Sequence, residues 1–238
     1  MPLFQHSIST DIFNHFPGYL RGVVVAAGLK NGPSPAALTA LLRAAEADVR
    51  SRLSLDTLIE DAHIRPWREA FRSFGAKPAE FRPSIEALAR RALRGDALPS
   101  INTLVDIGNL VSLHHLLPVG GHSIEGLQAD MLLQLASGEE NFTPFGSEQL
   151  EHPLPGEVIF AEGSTVLTRR WTWRQANHTL TLPETRALEI NVDGLPPMGP
   201  AEIEAACLES MRLVEQFCGG RARYEILSEQ NPRILLDV

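Results

Sequence analysis

Cysteine is nearly absent from this chain of 238 residues: Cys207 and Cys218 are the only two. Both fall in one amphipathic stretch about three helical turns apart, roughly 16 Å at ~1.5 Å per residue, too far for a disulfide. Inert core thiols in a reducing compartment are the expectation. Long apolar runs are also lacking, so no segment spans a membrane. The start, "MPLFQHSISTDIFNHFPG", has neither the basic opening nor the apolar run of a secretory signal. A cytoplasmic protein without membrane partners is expected.

Several catalytic signatures are missing as well. The eight histidines include no H-E-x-x-H and no ligand spacing with cysteine, so no metal is expected. Gly121-His122-Ser123-Ile124-Glu125 lacks the second glycine of a nucleophile elbow. "GLKNGPSP" lacks the order of a phosphate loop, and no dinucleotide fingerprint follows a strand, so no cofactor is expected. Positive charge is in deficit: 21 Lys and Arg against 29 Asp and Glu, net −8, which argues against DNA or other nonspecific nucleic-acid binding over the surface. The deficit is uneven. Arg65 to Arg94 holds eight basic against three acidic residues, a local +5 that leaves −13 elsewhere. Such a segment is either a set of solvated helix faces or a patch that steers a phosphate backbone, with Arg65, Arg68, Arg72, Lys77, Arg90 and Arg91 as its contacts.

What is present reads as one α+β domain over 1–238, a sandwich-like β-sheet core covered by helices. "RGVVVAAGL" is a buried strand. Ser34 is placed to cap a helix with Pro35 at its first position. Helices follow over "HIRPWREAFRSF", stopped by Gly75, and "RPSIEALARRALRG", stopped by Gly95. After "PVGG" (118–121) the pattern turns to strands, with a hairpin around Glu162-Gly163-Ser164 and a strand in "RRWTWRQ". In that strand Trp171 and Trp173 share one face, as core packing or as a stacking platform. A helix over "GPAEIEAACLESMRLVEQFC" and an extended segment close the chain. His114 and His115 are adjacent and so point to different helix faces.

"INTLVDIGNLVSLHHLLPVGGH" (101–122) raises the sharpest question. With Ile101 to Leu116 helical, Asn102, Asp106 and Asn109 lie on one stripe of an otherwise apolar helix. Buried amides and carboxylates need partners, either a neighbouring loop or a ligand.

Three stretches in order, "WREAFRSFGAKP" with "RPSIEALARRAL", then "LPSINTLVDIGNLVSLHHLLPVGG", then "RRWTWRQANHTLTLPETRALEINVDG", resemble the freestanding B3/B4-domain proteins. These are similar to the editing domain in the β subunit of bacterial phenylalanyl-tRNA synthetase. The resemblance spans roughly Arg65 to Gly194. It implies an internal pocket and a hydrolase that cleaves the ester of a misacylated tRNA in trans. One described class of the family edits canavanyl-tRNA(Arg), and tRNA is the implied partner. An aminoacyl ester is already activated, so its hydrolysis needs a positioned water and oxyanion stabilisation more than a strong nucleophile. Gly120 and Gly121 supply close backbone approach in that reading, or simply form a tight turn. Glu189 matches the family's side-chain-recognising glutamate, although strand alternation alone sends it to solvent or to a cavity. Glu184 and Asp193 are further acids for a cationic substrate. Val119, Arg174 and Gln175 are expected in the pocket. His122 is either the catalytic histidine of the matching turn, displaced locally, or a surface residue. Asn102, Asp106 and Asn109 are expected to hydrogen-bond the "PVGG" backbone and hold it open. Non-catalytic tRNA or amino-acid binding, and hydrolysis of a small amino-acid ester or amide, are the alternatives.

Overall fold

A computed structural model describes residues 4–237. Two sheets form its framework. One is built in the order β3 (Val119–Ser123), β8 (Ala187–Gly194), β2 (Leu20–Ala27), β9 (Arg221–Leu227), every pair antiparallel. The other runs β10 (Arg233–Leu235), β1 (Gln5–Ile8), β4 (Met131–Leu135), β5 (Val158–Glu162), β6 (Thr165–Arg169), β7 (Arg174–Gln175), with β1 and β4 parallel.

The first sheet has two unlike faces because side chains alternate along its strands. Gly22, Val24, Leu188, Ile190 and Val192 turn toward helices α2 (Ala36–Arg52), α5 (Thr103–His115) and α6 (Pro200–Cys218). Gly22 is required by that packing, since a Cβ there would lie 2.2 Å from Cys207 Sγ. Arg21, His122, Glu189, Asn191 and Asp193 turn the other way, toward the second sheet, where Phe160 and His6 meet them. The mixed α+β, sandwich-like core expected from the pattern is the one observed: one large apolar cluster runs through it from Ile8 to Leu236, and a smaller one gathers Ala136, Phe142, Ile159, Ala161, Val166 and Ala176 on the β5–β6 side.

The expected helices form, with α3 (Arg65–Ser73) and α4 (Ser84–Leu93) stopped before Gly75 and Gly95, both at positive φ. Both cysteines are buried in α6, and burial pushes their thiols up to about 12 and about 11. Four local expectations are corrected. Ser34 does not cap α2; its hydroxyl donates to Asp106 Oδ2 instead (2.5 Å), and Pro35 takes the cap position. "PVGG" is not a turn: the left-handed Leu116 ends α5 (φ 52°), and the chain extends at once into β3. "RRWTWRQ" is not one strand. Arg170 and Trp171 adopt positive φ (46° and 59°), breaking β6 from β7 and sending the two tryptophans apart. Trp171 is core, edge-on to Phe16, Tyr19 and Trp67. His114 and His115 reach the same carboxylate, Glu209 of α6 (2.8 and 2.7 Å), because α5 ends there.

Candidate functional site

Strand β3 is the open edge of its sheet and carries the glycines. Asp193 N–H donates to Pro118 O and Ile124 N–H to Ala187 O. In an antiparallel ladder this makes 120/191 and 122/189 the hydrogen-bonded pairs. Residues 119, 121 and 123 therefore direct N–H and C=O away from the sheet. Ser123 N–H donates to Thr179 O, and Gly121 O accepts from Gln175 Nε2 (3.0 Å) and Thr181 Oγ1 (3.4 Å). The Gly121 N–H has no acceptor among the described residues.

Two cavities flank this edge. The smaller, about 180 Å³, lies between the sheets and is the more polar of the two, with Arg21, His122, Thr172, Asn191 and Asp193 in its wall beside Phe160 and Trp171. The larger, about 570 Å³, lies between β3 and α5 and is mostly apolar, walled by Leu104, Val105, Gly108, Leu188 and Ile190. Val119, Gly120, Gly121, Trp173, Arg174 and Gln175 line both. The expected pocket residues of β3 and β7 thus come together at one place. Asp193 joins them in the smaller cavity; Glu184 does not, lying exposed on the 183–184 turn.

Behind the smaller cavity runs a buried polar chain. Arg21 donates to Asp193 Oδ1 through Nε (2.7 Å) and to Oδ2 through Nη2 (3.2 Å), and the Tyr19 hydroxyl donates to the same carboxylate. Arg21 Nη1 also lies 3.3 Å from His6 Nε2, and His6 Nδ1 lies 2.7 Å from Glu189 Oε2. Glu189 Oε1 accepts from Asn191 Nδ2 (3.0 Å). Burial opposes charge on Glu189, yet His6, His122 and Arg21 outweigh it and hold the carboxyl below the ordinary carboxylate value. Glu189 is accordingly not a direct pocket contact, a correction to the expectation: both oxygens are occupied and it lines neither cavity. What it does is orient Asn191, whose Oδ1 is buried without a partner and belongs to the cavity wall. Thr172 Oγ1 is a second buried, unpartnered atom in that wall.

His122 is buried and neutral. Burial, with Arg21 and the other histidines, outweighs Glu189 and lowers its pKa to about 4. Its Nδ1 accepts from Gln175 Nε2 (3.3 Å) and lies 2.6 Å from Thr179 Oγ1, so the proton sits on Nε2, 3.2 Å from Thr168 Oγ1. Both nitrogens are engaged, which suits a positioning residue better than a free base.

The polar stripe of α5 is answered differently from expectation. Asn102 caps the helix by accepting from Val105 N–H (3.1 Å), and it also accepts from Asn31 and donates to Thr181 O (2.9 Å). Asp106 accepts from Ser34, Ser100 and Ile101 N–H. Neither hydrogen-bonds the glycine strand: Asn102 ties Asn31 and Thr181 to the start of α5, and Asp106 ties down Ser34 and the 100–101 segment. Asn109 alone has no hydrogen-bond partner among the described residues, and it lines the larger cavity.

The basic segment is also less available than its composition suggests. Buried Glu86 accepts from Arg68 (2.7 and 2.8 Å), which clamps α3 to α4, and from Arg90 one turn along α4 (2.8 Å), so both arginines are engaged. Arg65 and Lys77 sit in exposed pairs with Glu69 (3.7 Å) and Glu80 (3.4 Å). Arg72 and Arg91 are exposed with no carboxylate partner among the described residues. His6, Tyr19 and Arg21 escaped sequence reasoning. Their one signal was an arginine opening an otherwise apolar strand. Among the described residues no helix is long and apolar enough to cross a membrane, and no cluster suits a metal ion.

No curated protein matches the chain. Among solved structures, it is similar to an N-terminal fragment of the phenylalanyl-tRNA synthetase β-subunit from Pyrococcus horikoshii, at 11% identity and a TM-score of 0.43. That similarity covers 92% of this chain and 50% of the fragment, so the chain spans about half the length of that structure. The family model of the B3/4 domain matches residues 66–219, well over half of the sequence, and the chain belongs to the B3/4 domain family.

Proposed function

We propose that this protein is a trans-editing aminoacyl-tRNA deacylase, with canavanyl-tRNA(Arg) as the first substrate to test. Membership of the B3/4 family supports the reading, and one observation carries it: the outward N–H of Gly121, without an acceptor among the described residues, on a strand edge bordered by a side-chain-sized cavity with polar groups in its wall. An ester carbonyl set against that N–H gains a donor where its oxyanion develops. Water adds to the carbonyl carbon, and the tetrahedral intermediate collapses with loss of the ribose hydroxylate, which takes up a proton. The ribose's neighbouring hydroxyl is suited to orient that water, since no side chain here offers a free base.

The amino-acid side chain occupies the smaller cavity. Asn191 Oδ1 and Thr172 Oγ1 wait there for hydrogen-bond donors, and a site built to pair a donor rejects analogues lacking it. A guanidino-type side chain supplies several. Glu189 contributes through Asn191 rather than by touching substrate. Exposed Arg72 and Arg91 remain the candidate phosphate contacts.

A second reading, binding of a charged tRNA end without hydrolysis, is favoured by the full occupancy of both His122 nitrogens. A deacylation panel separates the two: purified protein against tRNAs bearing cognate and near-cognate amino acids, including canavanine on tRNA(Arg). Faster ester loss than in buffer for a donor-bearing misacylated substrate is expected. Binding with no acceleration of any substrate sinks the hydrolase reading.

A further inference from the structure

We infer that His6, which lines neither cavity, sets the hydrogen-bonding sense of the smaller one. Acting through Glu189 and Asn191, it is the positioning residue that makes the wall an acceptor and so selects side chains with a terminal donor. The inference rests on the reading above that an amino-acid side chain enters this cavity.

An asparagine shows a cavity either its carbonyl or its NH2, and its neighbours decide which. Here the decision comes along a buried chain that starts at Arg21. A guanidinium offers donors only, and Asp193 fixes this one through Nε and Nη2 (2.7 and 3.2 Å). The remaining nitrogen, Nη1, faces His6 Nε2 at 3.3 Å, which must therefore accept. The imidazole proton then sits on Nδ1, which donates to Glu189 Oε2 (2.7 Å). Glu189, held ionised by these neighbours, only accepts, so its Oε1 takes the Nδ2 of Asn191 (3.0 Å). What remains for the cavity is Asn191 Oδ1, buried and without a partner.

Reversing a link reverses the end of the chain. A proton on His6 Nε2 would oppose the guanidinium and turn a lone pair on Glu189. A proton on Glu189 Oε1 would donate to the Asn191 carbonyl and send its NH2 into the cavity. Burial keeps the links from being bypassed: His6 and Glu189 are both 0% exposed, and Phe160 packs against the His6 ring at 4.6 Å. In the wall itself the Thr172 hydroxyl donates or accepts and so does not choose, whereas the Asn191 carbonyl can only accept. His6 and Arg21 belong to β1 and β2, outside the residues 66–219 that match the family. The sense of the cavity is thus set by this chain's own N-terminal segment.

Two measurements test this. In the first, NMR of protein with isotope-labelled histidine nitrogens reads the tautomer, the His6 ring being assigned by its absence from His6→Gln. A pyrrole-type Nδ1 and a pyridine-type Nε2 are expected at neutral pH. The opposite tautomer, or a doubly protonated ring, overturns the inference. In the second, calorimetry compares two non-hydrolysable, amide-linked aminoacyl adenosines, one bearing citrulline and the other δ-N-acetylornithine. These side chains are uncharged and alike in shape, and they differ only in a terminal NH2 or CH3. Wild type should favour citrulline by about tenfold or more, because a site that pairs a donor rejects the analogue lacking it. His6→Phe keeps a ring without nitrogens and should narrow that ratio to within about threefold. His6→Gln can accept from Arg21 and donate to Glu189, and should restore it. Each variant is first matched to wild type by circular dichroism; a merely loosened fold would weaken both ligands together and leave their ratio. Equal wild-type affinities overturn the inference, and so does a full preference in His6→Phe. If His6→Phe does not fold, the tautomer and the wild-type ratio decide. Binding of neither analogue removes the side-chain reading of the cavity and the inference with it. A citrulline preference without hydrolysis of any charged tRNA removes the hydrolase alone.

Discussion

Asp193→Asn isolates the buried layer between the sheets. Arg21 is 1% exposed and Asp193 3% exposed, and the carboxylate takes two guanidinium hydrogen bonds and one from Tyr19. Asparagine keeps the volume, removes the charge, and presents an amide NH2 where one guanidinium or phenol donor now points. Arg21 stays cationic in the variant, because a guanidinium keeps its proton in proteins even where burial opposes its charge. Leaving one partner of a buried pair uncompensated costs about 3–5 kcal/mol. At about 2–4 °C per kcal/mol for a chain of this size, the melting temperature should fall by roughly 6–20 °C. Urea denaturation gives the free energy, calorimetry the temperature. The double variant Arg21→Met with Asp193→Leu removes both charges and should recover most of the loss, since apolar replacement of a whole buried pair is often neutral. A single variant within ~1 kcal/mol of wild type would refute the reasoning, because Arg21 would then have water or another anion available. So would a double variant as unstable as the single.

Other perturbations follow from the same geometry. His122 has its pKa lowered to about 4, so the unfolded chain binds its proton first and stability should fall as pH drops from about 6.5 to 4, by about 3 kcal/mol in all. Glu189, also depressed, adds to the loss in acid; His122→Gln should flatten the 6.5-to-4 part of a urea-midpoint profile, and an unchanged profile would remove His122 as its source. Gly22→Ala drives a Cβ to 2.2 Å from Cys207 Sγ and 2.9 Å from Ile203 Cγ2, and should cost about 1–3 kcal/mol, partly restored by Cys207→Ala. Absence of that rescue in denaturation curves would place the strain elsewhere. Arg72→Ala and Arg91→Ala should each reduce the salt slope of tRNA binding by about 0.7–0.9 with little effect on melting. Arg68→Ala should instead lower the melting temperature, by exposing the buried Glu86 carboxylate to loss of a partner. The reverse pattern would mean that Arg68 leaves Glu86 to meet phosphate.

Local rules were legible in the sequence wherever one residue settles the backbone. Gly75 and Gly95 end helices, Gly163 turns the β5–β6 hairpin, and the apolar run of β2 announces a buried strand. The site was legible in part, since Val119 to His122, Arg174 and Gln175 do converge. Long-range pairing was not. Residues 5–8 form a central strand only because β4 and β10, more than a hundred residues later, lie on either side. That pairing brings His6 to Glu189, and no local pattern specifies it. Asp193 reaches Arg21 for the same reason, through the β2–β8 register. The glycine pair misled because glycine is weak in strands; here ladder bonds to β8 impose extension on it. Trp171 misled because a left-handed tryptophan is rare, and it is held there by three aromatic neighbours.

Single-turnover hydrolysis of misacylated tRNA by Gly121→Pro and Gly121→Ala is the most direct measurement of all. Proline deletes the outward N–H while sparing the ladder bonds of residues 120 and 122, and alanine keeps the N–H with a comparable Cβ. Loss of a single oxyanion donor predicts a rate about 100- to 1,000-fold lower for proline than for alanine at unchanged substrate affinity. Equal rates for the two variants would contradict the account.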